Sequence, residues 1–212
     1  MSGGIDSPVA AWRMIHRGCH TNLVHFHSFP LVEGRSRDKA KELAEILTSY
    51  QYDTRLYLVP FADLQKEILL TIPGPFRVIV YRRFMIRISE AIAKNENAVA
   101  LITGESLGQV GSQTLQNVAT IDQVSTIPVL RPLVGMDKQE IINQALSIGT
   151  YGVSIMPDED CCSLFVPRSP ATKVLPDQIQ SLENTLEIER LVNTAVENAQ
   201  VLDFRWVNAR SI

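Results

Sequence analysis

Apolar residues recur along this chain in two periods that take turns, one near 3.6 residues and one near 2. The first stretch, 8–17, places Val9, Trp12 and Ile15 at helical spacing and stops at Gly18. Residues 22–27, Asn-Leu-Val-His-Phe-His, then read as a strand. A charged amphipathic helix follows over 36–50, with Ala40, Leu43, Ile46 and Leu47 inward. The alternation of 54–60 predicts a second strand, and a short helix is expected near 62–70. Pro73, Gly74 and Pro75 break the chain before a longer helix over 77–94. Residues 98–103 are the most apolar run and read as a buried strand ending at Gly104. A helix over 112–119, a short strand over 127–131 and a helix from an Asp137 cap to about residue 148 complete the alternation. Four prolines make 150–177 loop-rich, and 178–200 reads as one final helix, with no assignment for 201–212.

Strands alternating with helices predict an α/β fold with a doubly wound parallel sheet. The expected organisation is one nucleotide-loop domain over 1–175 and a helical tail over 176–212. Ligands in such sheets sit beyond the carboxyl ends of the strands. Ser28, Gly104 and the 131–138 loop all follow predicted strands, so they should meet on one rim.

The residues facing that rim carry the chemistry. Ser2-Gly3-Gly4-Ile5-Asp6-Ser7 precedes Pro8 and the first helix. The glycines allow close approach of an anion, Asp6 and Ser7 can cap the helix, and Pro8 suits its first turn. Free N–H groups at a helix start then form a phosphate nest. The spacing fits neither Gly-x-x-x-x-Gly-Lys-Ser/Thr nor Gly-x-Gly-x-x-Gly. Only Met1 stands ahead of the loop, where a first sheet strand is expected, so that strand is read as missing.

Three further clusters qualify this picture. Thr103 to Thr114 holds three glycines among amide and hydroxyl side chains after the most apolar strand, and is read as a nucleotide-contacting loop. Lys138 opens a helix, where it opposes the dipole unless an anion is near, and could neutralise charge at a reacting phosphate. Asp160-Cys161-Cys162-Ser163 lies in the proline-rich loop. Adjacent Cα atoms are about 3.8 Å apart whereas disulfides need roughly 4.4–6.8 Å, so free thiols are expected there. None of the four histidines falls near, which argues against zinc. Cys19 is expected to be buried. His25 and His27 share a strand face, and packing beside a nucleotide or in the core is favoured over a metal.

Bulk composition narrows the class. With 212 residues, 45% hydrophobic and 20% charged, the chain can bury a sizeable core. A net charge of −3 excludes a chain that is basic throughout, so Arg82, Arg83 and Arg87 on the 77–94 helix are the candidate RNA contact. No membrane span or signal peptide is seen, and a cytoplasmic location is expected.

The Ser-Gly-Gly-Ile-Asp-Ser loop matches the pyrophosphate loop (PP-loop) of the ATP pyrophosphatases. With His-Phe-His-Ser at 25–28, Tyr-Arg-Arg-Phe-Met-Ile-Arg at 81–87, Thr-Gly-Glu-Ser-Leu-Gly-Gln-Val at 103–110, Arg-Pro-Leu at 131–133, Met-Asp-Lys at 136–138 and Asp-Cys-Cys at 160–162, residues 2–175 resemble the ThiI family of tRNA 4-thiouridine sulfurtransferases. That resemblance implies ATP and Mg²⁺ as cofactors and adenylation of a tRNA uridine. It also implies replacement of the uridine O4 by sulfur from a persulfide, and sulfur delivery for the thiamine thiazole.

Carried onto this chain, Ser2, Gly3, Gly4, Ile5, Asp6 and Ser7 would hold pyrophosphate, and His27, Ser28, Gly104 and Gln113 would lie by the nucleotide. Asp6 is the candidate Mg²⁺ ligand, and Lys138 would stabilise adenylation. The sulfur-bearing residue is read as Cys162, with Cys161 in reserve. Expected partners are tRNA, a cysteine desulfurase, a thiamine sulfur-carrier protein and a second copy in a homodimer. The family's ferredoxin-like and THUMP regions, and the rhodanese-like domain of some members, find no counterpart in these residues. The competing readings are another PP-loop enzyme, such as a different tRNA thiolase or an ATP-dependent synthetase, and an inactive nucleotide-binding fragment.

Overall fold

A computed structural model describes residues 1–32, 34–108, 113–157 and 171–206. The chain starts with α1 (Asp6–His16), β1 (Leu23–His27), α2 (Arg35–Gln51) and β2 (Asp53–Pro60). Then come α3 (Ala62–Thr71), a 3₁₀ turn at Gly74–Phe76, α4 (Arg77–Asn95) and β3 (Leu101–Ile102). The remainder is α5 (Leu115–Asp122), β4 (Val129–Leu130), α6 (Lys138–Ser147), α7 (Tyr151–Ser154), α8 (Pro176–Glu183), α9 (Ile188–Glu197) and β5 (Gln200–Arg205).

β1 and β2 pair in parallel, Leu23 opposite Leu56 through His27 opposite Pro60. β3 and β4 form a second parallel pair. The side-chain alternation of β2 feeds two layers. Leu56 and Leu58 pack with Ala40, Ala44 and Leu47 of α2 and with Ala11 and Ile15 of α1. Val59 and the following Phe61 join Tyr81, Phe84 and Ile88 of α4 and Ile68 of α3. Helices thus cover both faces, as the α/β alternation requires. A third cluster ties Val9 and Ala10 of α1 to Leu133, Ile141 and Ala145. The helix behind the 2–7 loop is therefore gripped from two sides.

Several boundaries depart from the hydropathy reading. The 98–103 run yields a two-residue ladder, extended by the Thr103 amide donating to the Leu130 carbonyl at 3.0 Å. The helix expected at 112–119 runs Leu115–Asp122, because the Thr114 hydroxyl accepts from the Asn117 amide and caps it there. The 178–200 segment is not one helix. It divides into α8 and α9, and the chain then turns into β5, which pairs antiparallel with β2 from Asp53–Arg205 to Leu58–Gln200. The buried positions Ile179, Leu186, Leu191 and Ala195 include a five-residue step that no single α-helix face accommodates.

Among the described residues the strands make two sheets, ordered β1-β2-β5 and β3-β4. β1 and β3 both border a cavity of about 520 Å³, lined by Leu23, Val24 and Phe26 on one side and Leu101, Ile102 and Thr103 on the other. The Met1 amino group donates to the Val24 carbonyl at 2.5 Å, at the edge of β1.

Candidate active site

The 2–7 loop is held by its own hydroxyls. The Ser2 amide donates to Ser7 Oγ at 2.8 Å, the Ser7 hydroxyl donates to the Ser2 carbonyl at 3.1 Å, and the Gly4 amide donates to Ser2 Oγ at 3.3 Å. Capping by Asp6 or Ser7 does not occur. The cap position is Ile5, without a side-chain bond, and Asp6 is the first helical residue. A helix start with no side-chain cap leaves N–H donors for an anion, with the positive end of the dipole behind them.

Gly104 lies against this loop. A Cβ at that position would stand 2.8 Å from Ser7 Cα and 2.8 Å from Ser7 N, so only glycine allows the contact. Lys138, the first residue of α6, donates from Nζ to Asp6 Oδ1 at 2.6 Å and remains about half exposed. Its helix is capped by a reciprocal Asp137–Glu140 pair, which fixes the lysine's starting point. Ser2, Gly4, Asp6, Ser7, Gly104 and Gln113 all line the cavity beside β1 and β3. Gln113 is buried there, and its Oε1 has no partner among the described residues.

The model of the family described as thiamine biosynthesis protein (ThiI) matches residues 1–188. The chain belongs to the ThiI family. It is 52% identical over 206 residues to a "probable tRNA sulfurtransferase" of Thermus thermophilus, covering 97% of this chain and 51% of that protein. A relative of the same description from Brevibacillus brevis is 47% identical over 201 residues, covering 95% of this chain and 50% of its own length. The chain thus spans about half the length of the curated relatives it matches.

Among solved structures it resembles a 4-thiouridine synthetase–RNA complex with bound ATP, with a TM-score of 0.92 and 41% identity. The match covers 97% of this chain and 54% of that one. An NMN synthetase from Francisella tularensis, at a TM-score of 0.58 and 15% identity, shares the fold.

Not every ThiI residue expected in the site gathers there. His27 and Ser28 are buried just outside the cavity lining. Ser28 donates its hydroxyl to Gln65 Oε1 at 2.5 Å. Burial, and then the Arg37 charge, push the His27 pKa down to about 4, so it is a neutral ring. His25 is likewise neutral, held at about 3 by burial, with its Nδ1 at 3.0 Å from the Met1 carbonyl.

The arginines of α4 separate. Arg83 and Arg87 turn inward and share the Glu183 carboxylate at 2.6–2.9 Å, with Arg83 only 5% exposed. They are therefore structural ion pairs rather than free cations for a nucleic acid. Arg82 lines the cavity and pairs with Glu105. Cys161 and Cys162 lie outside the described residues, and Cys19 is exposed rather than buried. No group of three or more His, Cys, Asp or Glu converges as a metal site among the described residues.

Glu105 and Arg131 meet beside Gly104, a pairing that no local pattern in the sequence singles out. Their only signal was a carboxylate inside a glycine-rich loop, with no cation close by in sequence.

Proposed function

We propose that this chain is the nucleotide-activating part of an ATP-dependent tRNA sulfurtransferase. The observation that carries the reading is the convergence of the uncapped α1 N-terminus, Gly104 and the Asp6–Lys138 pair on one cavity. The sulfurtransferase relatives and the ATP- and RNA-bound synthetase support it.

In this reading the amides of residues 2–7 hold the β- and γ-phosphates. Uridine O4 attacks the α-phosphorus, the bond to the bridging oxygen breaks, and pyrophosphate leaves. Lys138 offsets charge as it builds on the phosphate oxygens. The outer sulfur of a persulfide then attacks C4, and AMP departs with the former O4. A second thiol attacks the carrier cysteine's sulfur, the S–S bond breaks to free the thiolated uridine, and the disulfide left on the cysteine is reduced by an external thiol. Cys162 carries the persulfide, with Cys161 as the alternative, and a cysteine desulfurase supplies its outer sulfur. The same persulfide could serve a sulfur-carrier protein for the thiamine thiazole. Of the three α4 arginines read as an RNA contact, Arg82 is the one on the cavity wall, where it pairs with Glu105, and in this reading it is the one that meets an RNA backbone. Action in the cytoplasm goes with a tRNA substrate.

A single carboxylate suits Mg²⁺, which takes one or two carboxylates and completes its shell with phosphate oxygens and water. Asp6 is the residue that would hold it, and the bound ion would screen phosphate charge.

The test is pyrophosphate release from ATP, with and without unmodified tRNA, for the wild-type chain and for Asp6→Asn and Gly104→Ala. The expected result is tRNA-stimulated release that falls by roughly 10²–10³-fold in Asp6→Asn, as when a transition-state contact is removed. Gly104→Ala should lose ATP binding itself. A folded wild-type chain that binds ATP but releases no pyrophosphate would demote it to a nucleotide-binding fragment.

A further inference from the structure

One carboxylate beside the 2–7 loop accepts hydrogen bonds from three side chains on separate parts of the chain. Glu105 follows Gly104 directly. Its Oε1 accepts from Arg82 Nη1 of α4, and its Oε2 accepts from Arg131 Nε at 2.7 Å and from the Thr103 hydroxyl at 3.1 Å. The side chain is 12% exposed. Arg131 is itself fixed by the Asp122 carboxylate, with Nη1 and Nη2 donating at 2.8 and 2.5 Å. Ser106 then donates its hydroxyl to the Met136 carbonyl at 3.0 Å, and the Leu107 amide donates to the Val134 carbonyl at 3.3 Å.

The 103–107 segment therefore joins three parts. Glu105 fastens it to α4 and to the residue after β4. Gly104 presses it on the backbone of Asp6 and Ser7. Ser106 and Leu107 fasten it to the turn that leads into Lys138. Gly104 has no side chain to hold it there, so its position follows from its neighbours.

We propose that Glu105 is a positioning residue: its carboxylate holds Gly104 against the phosphate loop and sets the register between that loop and the Lys138 turn. The functional consequence rests on the ATP reading above, whereas the mechanical claim stands without it. Losing the carboxylate leaves Arg131 paired with Asp122 and leaves Arg82, which is 22% exposed, able to reach water. The fold should thus survive while the loop loosens.

Backbone hydrogen exchange on the nucleotide-free chain reads this directly, comparing wild type with Glu105→Ala and Glu105→Gln. In Glu105→Ala, amides in residues 2–10 should exchange at least about tenfold faster, and β2 amides should keep their wild-type rates. Glu105→Gln, which retains a carboxamide acceptor, should fall between. Titration calorimetry with ATP should show affinity dropping in the same order. Unchanged loop exchange in Glu105→Ala would overturn the proposal, and so would a uniform rise across loop and β2, which would mean a global stability effect. Absence of ATP binding in the wild type would count against the function reading alone, since the exchange result needs no nucleotide.

Discussion

At the scale of single residues, two buried rings set an acid limit on stability. The folded pKa values of His25 and His27 are held at about 3 and about 4, against an ordinary 6.5, chiefly by burial. The unfolded chain takes up these protons first. Stability is therefore full above about pH 6.5 and falls as pH drops toward the folded values, by about 1.4 kcal/mol per pH unit for each ring. Urea denaturation between pH 7 and 5 should show this slope. In His25→Asn it should be about half as steep. The amide keeps a donor near Nδ1 and removes one titration. An unchanged slope would mean that His25 is not the neutral, buried group described. The pair at alternate positions was legible in the strand pattern, but their neutral state was not, because burial depends on the helices that cover β1.

Between elements, the Glu183 carboxylate joins α8 to α4. Burial alone would raise its pKa, but the Arg87 and Arg83 guanidiniums outweigh this and hold it below the usual carboxylate range. Glu183→Ala leaves two largely buried guanidiniums sharing no anion and should cost about 3–5 kcal/mol. The midpoint in urea measures it, and a loss under about 1 kcal/mol would show that the pair breaks even. Sequence reading took Arg83 and Arg87 for a basic face because they stand four apart on one helix. Their partner lies about a hundred residues away, and no local period reports that distance. The Asp137 cap and the glycine stops, by contrast, act within one turn of chain and were read correctly.

Over the whole molecule, the segment after 175 is part of the core. Ile179, Leu186 and Leu191 are buried with Tyr81 and Phe84, and β5 covers the edge of β2. Three such side chains at roughly 1.5–3 kcal/mol each are comparable with the net stability of a domain, about 5–15 kcal/mol. A chain ending at residue 175 should therefore show no cooperative melting transition by calorimetry. A transition like that of the full chain would instead establish 1–175 as a unit and the remainder as an appended tail.

Local physics let the sequence determine its α/β class and the glycine-bearing loop that opens the first helix. Each depends on side-chain period, capping or backbone freedom within a few residues. Only tertiary structure decided that β5 closes the β2 edge, that two of three neighbouring arginines are spent on Glu183, and that Glu105 anchors the loop pressing on Ser7. Those outcomes are pairings between distant segments. A charge at the surface and a charge in a buried pair look identical in a sequence until the partner is in place.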